Sequence, residues 1–352
     1  MILIKYIERF ILLILKFPFK SFISLYNKNA NVVIISSFLT TGKFGRELLI
    51  RELGYIRYCC DNDIEFYFGK LSGCFKNKII FWAPNLSIDK YKFDNYSKVI
   101  LDLATSIEAQ GNKLFPSSKE LLFLENKKFM HDVLDKFNIN TPKTWSYDKL
   151  NEIEYDVLEF PLLWKGAHSS GSQDIVKFEN LNELKKFISV RDTWEKVILQ
   201  KLVNMRRDMR VTIVEGEFFS AFWRINEKEE WQVTATSLGS RLEFTKISEK
   251  LLIDLKYIMD LCDLTTAGID ICWENDDIQG DPIILELSPL FSINPYVDLS
   301  NKKYKYGKFK KKYFIKNSYG SLQQKELLEI TYSYFGSKYS QIFDNINSML
   351  NK

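Results

Sequence analysis

The sequence predicts an α/β (α+β) protein in which a small parallel-sheet lobe precedes a larger region of antiparallel strands. Three observations predict it. Short β-branched runs alternate with helical spacing between residues 31 and 110. From about residue 158, strand runs follow one another with short connections. At 352 residues, with 46% hydrophobic and 27% charged content, the chain can bury two or three packed lobes of ordinary globular composition.

The elements follow in order. Phe10-Ile11-Leu12-Leu13-Ile14-Leu15 is an apolar run bracketed by Arg9 and Lys16. It is too short to span a hydrocarbon core, which needs about 20 residues, and no small-residue cleavage site follows it. Two readings of residues 2–17 stay open: a helix packed on the body of the protein, or a helix on a membrane surface with Lys5, Arg9, Lys16 and Lys20 beside anionic headgroups. Val32-Val33-Ile34-Ile35, Ile79-Ile80-Phe81-Trp82 and Val99-Ile100-Leu101 read as buried strands, and residues 44–58 as a helix. A helix is expected over 119–137, with Pro142 closing the connection after it. Strands are expected at 160–165, 174–178, 196–201, 209–214 and 217–225, with a helix near 181–189. Val214-Glu215-Gly216-Glu217 is a hairpin turn signal. A helix at 247–262 leads into strands at 267–273 and 282–287. The expected divisions are an N-terminal basic-apolar segment (1–30), a parallel-sheet lobe (31–115), a main domain (116–300, with a small lobe at about 142–203) and a basic C-terminal segment with a helix (301–352).

Composition excludes several classes. The net charge of +4 is too small to argue for nucleic acid, and no recognition motif accompanies it. Five cysteines without a repeated spacing oppose a disulfide framework, and with two separated histidines they oppose a zinc site. The expectation is a reduced, cytoplasmic protein with mostly buried thiols. Residues 302–316 hold eight lysines and no acidic residue, interleaved with Tyr304, Tyr306, Phe309, Tyr313 and Phe314. That stretch reads as a solvated face, as a contact for an anionic membrane, or as a contact for a polyanionic saccharide.

Four segments carry candidate chemistry. A nucleoside triphosphate needs cations on its phosphates, a small-residue loop to cover them, an apolar slot for the base and carboxylates for Mg²⁺. Glu125-Asn126-Lys127 lies on the helix before Thr141-Pro142. Leu162-Leu163-Trp164-Lys165-Gly166 ends an apolar strand on a lysine and runs into His168-Ser169-Ser170-Gly171-Ser172, where backbone N–H groups can approach phosphate oxygens. Val197 to Val203 is an edge segment, followed by Asp208 and Arg210. Gly268-Ile269-Asp270 and Leu285-Glu286-Leu287-Ser288 place two carboxylates sixteen positions apart, close together if their strands pair antiparallel. Charges inside apolar strands imply a metal or cationic partner. Taken singly, Lys127 reads as a solvated helix residue, His168 as a loop residue, and Arg210 and Arg224 equally as paired structural arginines.

Taken together, the run from about 115 to 296 resembles the ATP-grasp superfamily, and within it the branch of glutathione synthetase and the ligases that add glutamate to ribosomal protein. In that branch a helix lysine precedes a Thr-Pro or Val-Pro pair, as Lys127 precedes Pro142, and a second lysine ends the strand before a mobile glycine loop, as Lys165 does. The resemblance implies nucleotide contacts from Lys127, Lys165, Ser169, Ser170, Gly171, Gln200, Lys201, Val203 and Asp208. It implies that Arg210 and Arg224, matching Asp-x-Arg and Ala-Arg-Ile patterns, serve as catalytic oxyanion donors, and that Gly239-Ser240-Arg241 matches a glycine-rich stretch. Metal ligands carry over to Asp270 and Glu286. The family's Glu-x-Asn is here Glu286-Leu287-Ser288, so Ser288, water or Asn294 would complete the second metal shell.

The implied fold is an ATP-grasp fold, with an N-terminal pre-ATP-grasp α/β lobe and two lobes clasping ATP. The implied activity is that of an ATP- and Mg²⁺-dependent carboxylate–amine ligase. Such an enzyme would form an amide through an acyl phosphate on an amino acid, a peptide or a sugar acid of a surface polysaccharide. The partners expected are ATP, a small-molecule or saccharide carboxylate and an amine, with an anionic membrane surface at the inner face and no nucleic acid. The competing expectation is a non-catalytic module of the same fold that binds a nucleotide or a polysaccharide precursor, which Ser288 favours.

Overall fold

The computed structural model describes residues 19–36, 39, 46–84, 96–124, 126–166, 175–191, 197–228, 230–235, 240–291 and 332–342. Residues 2–17, Glu125, His168 to Ser172, Gly239, Asn294 and the basic stretch 302–316 lie outside them. The chain divides into two compact units, one formed by residues 1–118 with 292–352 and the other by residues 119–291.

In the first unit, β1 (Val32–Ile35), β2 (Phe66–Gly69), β3 (Ile79–Phe81) and β4 (Lys113–Phe115) form an all-parallel sheet in the order β2-β1-β3-β4. β1 is buried at every position, which explains why it reads as an unbroken apolar run. Helices α1 (Phe19–Leu25), α2 (Arg46–Asp61) and α3 (Tyr96–Glu108) accompany the sheet. Val99-Ile100-Leu101, expected as a strand, lies inside α3. Ile100, Ala104 and Ile107 are its buried stripe, at helical spacing, and a three-residue apolar run cannot distinguish that stripe from a strand. Asn112 is buried between β3 and β4: its amide donates to the Phe75 and Ile107 carbonyls, and its oxygen accepts from the Lys78 N–H. Residues 332–342 are helical, and the Phe335 ring stacks on Phe81 at 3.8 Å between centroids.

The second unit contains two antiparallel sheets. The smaller one, in the order β5-β8-β6-β7, comprises β5 (Thr144–Tyr147), β6 (Leu162–Gly166), β7 (Ile175–Phe178) and β8 (Val197–Lys201). Its Leu162, Trp164, Phe178, Val197 and Leu199 pack with Leu184 of α5 (Leu181–Ile188). The larger sheet runs β11-β10-β9-β12-β13, with β9 (Arg207–Val214), β10 (Glu217–Ile225), β11 (Arg241–Phe244), β12 (Ala267–Cys272) and β13 (Ile283–Ser288). The β9–β10 turn has positive φ at Glu215 and Gly216, the geometry that suits a tight hairpin. The helix expected over 119–137 is a short turn at Ser118–Leu121 and then α4 (Lys127–Lys136). Asn126 caps α4 by accepting from the Phe129 N–H.

Period-2 alternation sorts the larger sheet into two unlike faces. Met209, Val211, Ile213, Ala221, Trp223, Ile269 and Leu287 enter one core with Met130 and Leu134 of α4 and with Leu255, Ile258 and Met259 of α6 (Glu249–Leu261). The residues between them, Asp208, Arg210, Arg224, Gly268, Asp270, Glu286 and Ser288, occupy the other face. Four of the five cysteines are buried, and all are free thiols. Among the described residues no helix is long and apolar enough to cross a membrane.

Ile269, fully buried in the middle strand, tests this arrangement. Ile269→Ala should lower stability by ~2–5 kcal/mol. A lower urea midpoint, followed by the fluorescence of Trp223 and Trp273 (rings 5.6 Å apart in that core), checks it; an unchanged midpoint would contradict the assignment of faces.

Candidate active site

Strand register builds the charged face. Arg210 on β9 pairs with Asp270 on β12, Asp270 with Glu286 on β13, and Asp208 on β9 with Arg224 on β10. The two carboxylates separated by sixteen positions are therefore direct cross-strand neighbours. Arg210 donates through Nε and Nη2 to the two oxygens of Asp270, the second bond at 2.9 Å. Arg224 Nη2 lies 2.8 Å from Asp270 Oδ2 and also reaches Asp208, and Arg224 Nε donates to Asp208 Oδ1 at 3.1 Å. The result is a buried alternating chain, Arg210–Asp270–Arg224–Asp208. Both arginines are therefore paired with carboxylates.

The two aspartates respond differently to burial. Burial alone would push the Asp270 carboxyl up, but Arg210 and Arg224 together hold it well below the ordinary carboxylate range. Asp208, buried with one arginine and repelled by Asp270, is shifted upward. The Arg224 guanidinium, although burial opposes its charge, is held more firmly protonated by both carboxylates. The glycine at position 268, two residues before Asp270 on β12, has a steric cause. A Cβ at Gly268 would sit 2.7 Å from Phe291 Cβ and 3.2 Å from Arg210 Nη1. Glu286 forms no ion pair or hydrogen bond among the described residues, and the Ser288 hydroxyl donates to the Leu290 carbonyl at 2.6 Å.

A cleft beside this face is lined by Lys165, Gln200, Lys201, Val203, Asp208, Arg224, Asp270 and Glu286, all expected from the sequence. Burial and Lys127 depress the Lys165 ammonium to about 8, against the pull of Glu286, Cys272 and Asp270. The remaining lining includes residues that sequence reasoning missed: Leu163, Ile175, Met205, Trp231, Thr234 and Leu285. Leu285 is there because the β12–β13 register shifts between Asp270/Glu286 and Ile271/Ile284, leaving Leu285 as the extra residue of a bulge. It packs with Val203, Met205, Cys272 and Ile283 in a small apolar cluster of its own. Leu163 was within reach of strand alternation, lying on the Lys165 face of β6; Trp231 carried no signal.

Some expected contacts are used internally. Gln200 is almost wholly buried, and its amide donates to Thr144 Oγ1 at 2.9 Å and faces His131 Nε2 at 3.2 Å. Lys201 Nζ donates to the Phe160 carbonyl at 2.7 Å. Arg241 pairs with Glu227 and Glu243 at the surface, away from the cleft lining.

The residues present suit a magnesium nucleotide on two observations. Val203 is 7% exposed, yet its backbone N–H has no hydrogen-bond partner among the described residues, beside the apolar cluster where a purine would need a donor. The two neighbouring carboxylates offer hard oxygen donors, and Mg²⁺ takes one or two carboxylates together with phosphates.

Comparison with known proteins agrees with this geometry. Residues 124–290 match the RimK-like ATP-grasp domain. The chain is 30% identical over 178 residues to the alpha-aminoadipate–LysW ligase LysX of Saccharolobus solfataricus, covering 48% of this chain and 64% of the relative. It is 26% identical over 194 residues to the coenzyme gamma-F420-2:alpha-L-glutamate ligase of Methanocaldococcus jannaschii, covering 53% and 66%. Both matches thus fall just short of two thirds of the relative's own length. The D-alanine–D-alanine ligase of Bacillus anthracis complexed with ATP shares the fold, with a TM-score of 0.51 at 13% identity over 75% of this chain and 87% of that one. Residues 124–290, just under half of the chain, are thus similar to the RimK-like branch of the ATP-grasp superfamily.

Proposed function

We propose that residues 119–291 bind ATP with Mg²⁺ and use it to join a carboxylate to an amine. The observation that carries this reading is the convergence of the Asp270–Glu286 carboxylate pair, Arg210 and Arg224 on one sheet face, with Lys165 of the smaller sheet lining the same cleft next to an apolar slot. ATP when bound supplies the phosphoryl group that activates a carboxylate as an acyl phosphate toward an amine.

The chain's residues divide the remaining work. Lys127 and Lys165, with Ser169, Ser170 and Gly171, neutralise and cover phosphates; Asp270 and Glu286 hold the metal. Val203 offers its N–H to the base, with Lys201, Met205 and Leu285 as walls. Asp208 and Asp270 hold the two arginines in place, so that guanidinium N–H groups not used on carboxylates, such as Arg210 Nη1, remain to meet oxyanion charge; one such donor is worth roughly 10²–10³ in rate. The relatives support an amino acid as one of the two substrates, since one is named for alpha-aminoadipate and the other for glutamate; a peptide or sugar acid of a surface polysaccharide is the wider class for the carboxylate. The second reading, a nucleotide-binding module without turnover, is favoured by Ser288, whose hydroxyl is engaged with Leu290.

ATP cleavage against a panel of amino acids, peptides and sugar acids separates the readings. ADP should form only with a matching acid–amine pair. Glu286→Gln should lower kcat by about 10²-fold or more with little change in melting temperature, because Glu286 holds no ion pair among the described residues. Tight binding without turnover would favour the module, and no ATP binding would end both readings.

A pH dependence follows from Lys165. Its depressed value means that an incoming anion must draw a proton onto it above pH 8, so nucleotide affinity should fall as pH rises from 8, by at most about tenfold per unit. Lys165→Arg should flatten that profile in calorimetric titrations. Gly268→Ala should displace Phe291 or Arg210, costing ~1–3 kcal/mol of stability and most of the activity; thermal melts and turnover measured together check both.

A further inference from the structure

His131 is buried on α4, one turn beyond Lys127, and the hydrogen bonds around it determine where its proton sits. The Thr144 hydroxyl has a single proton, and it donates to the Pro142 carbonyl at 2.8 Å. Thr144 Oγ1 can therefore only accept from Gln200, which turns the NH₂ end of the Gln200 amide toward both Thr144 and His131. An amide nitrogen donates, so His131 Nε2 accepts and carries no proton. Burial, with Lys165 and Lys127 nearby, drops the imidazole to about 3, so it is neutral and its one proton is on Nδ1. That Nδ1–H has no partner among the described residues, although His131 is only 6% exposed. An orphaned buried donor is costly in a finished structure and is explained when a ligand completes it.

We propose that His131 is a nucleotide-contacting residue, its Nδ1–H donating to a phosphate oxygen between Lys127 and Lys165. The inference rests on the ATP reading above and adds to it a contact with no counterpart among the segments that carry the resemblance. A neutral donor suits this place because it binds an oxygen without a third positive charge beside two lysines. Its other nitrogen ties α4 to β8, so one ring joins the helix of Lys127 to the strand leading to Val203.

The test uses the full chain and the non-hydrolysable analogue adenylyl imidodiphosphate with Mg²⁺. The chain has two histidines, so long-range ¹H–¹⁵N spectra resolve them, and the set lost in His131→Asn is that of His131. His131 should show the Nδ1–H tautomer without titration between pH 5 and 9, and its Nδ1–H resonance should move downfield on adding the analogue. In calorimetry, His131→Gln, which keeps a polar group near Nε2 but none at Nδ1, should weaken binding by about tenfold to a hundredfold. His131→Asn, which keeps a donor near Nδ1, should stay within about threefold of wild type, and melting curves show whether each variant is folded. Wild-type binding with an Nε2–H tautomer, or with an unmoved Nδ1–H resonance, would overturn the assignment of His131 while leaving the ATP site standing. Binding by folded His131→Gln as tight as wild type would do the same. Failure of the wild type to bind the analogue would overturn both.

Discussion

The rest of the active face depends on one buried interaction, the double claim of Arg210 and Arg224 on Asp270. Four charges leave water together in Arg210–Asp270–Arg224–Asp208, and each alone would carry a desolvation cost of several kcal/mol. They are tolerated because register places opposite signs side by side across three adjacent strands. That ladder is neutral in sum and rigid in geometry. Glu286, one strand further on, is left outside it, so the face presents a fixed neutral network beside one carboxylate that forms no ion pair among the described residues. Metal and phosphate chemistry needs that combination, because donors and acceptors that are already oriented do not have to reorganise when charge develops.

The cleft joins two kinds of surface through two irregularities. A bulge turns Leu285 out of the core sequence and into the apolar slot, while its neighbours Ile284 and Leu287 remain in the main core. At the end of β8 the backbone leaves the ladder, and Val203 keeps an N–H that regular pairing would have used. Both departures border the slot proposed for the base. A strictly regular sheet would have filled that space with its own hydrogen bonds and side chains.

Much of this was legible in the sequence. The runs at 209–214 and 217–225 read as strands, two residues short of the observed start of β9, and Val214-Glu215-Gly216-Glu217 read as the turn between them. The cross-strand pairing of Asp270 with Glu286 followed from sixteen positions and an antiparallel assumption. What was not legible depended on a single residue's surroundings. Val99-Ile100-Leu101 is too short to betray its period, and the short strands at 66–69, 113–115, 144–147 and 241–244 had no clean apolar pattern. Leu285 reads as an ordinary strand residue until the bulge is seen. The role of His131 needs a tautomer, and a tautomer is a property of three partners distant in sequence.

The stack of Phe335 on Phe81 has a consequence for how the protein is made. The two rings belong to one core but are 254 positions apart in the chain, with the whole second unit encoded between them. On a ribosome moving at ~5–20 residues per second, Phe81 emerges roughly 10–50 s before its partner ring exists. During that interval the parallel sheet lacks part of its apolar cover, whereas residues 119–291 are continuous and can close on themselves. The second unit is therefore the one able to finish first, and the earlier-synthesised lobe is the one that must wait, with aromatic surface open to chaperones or to other chains.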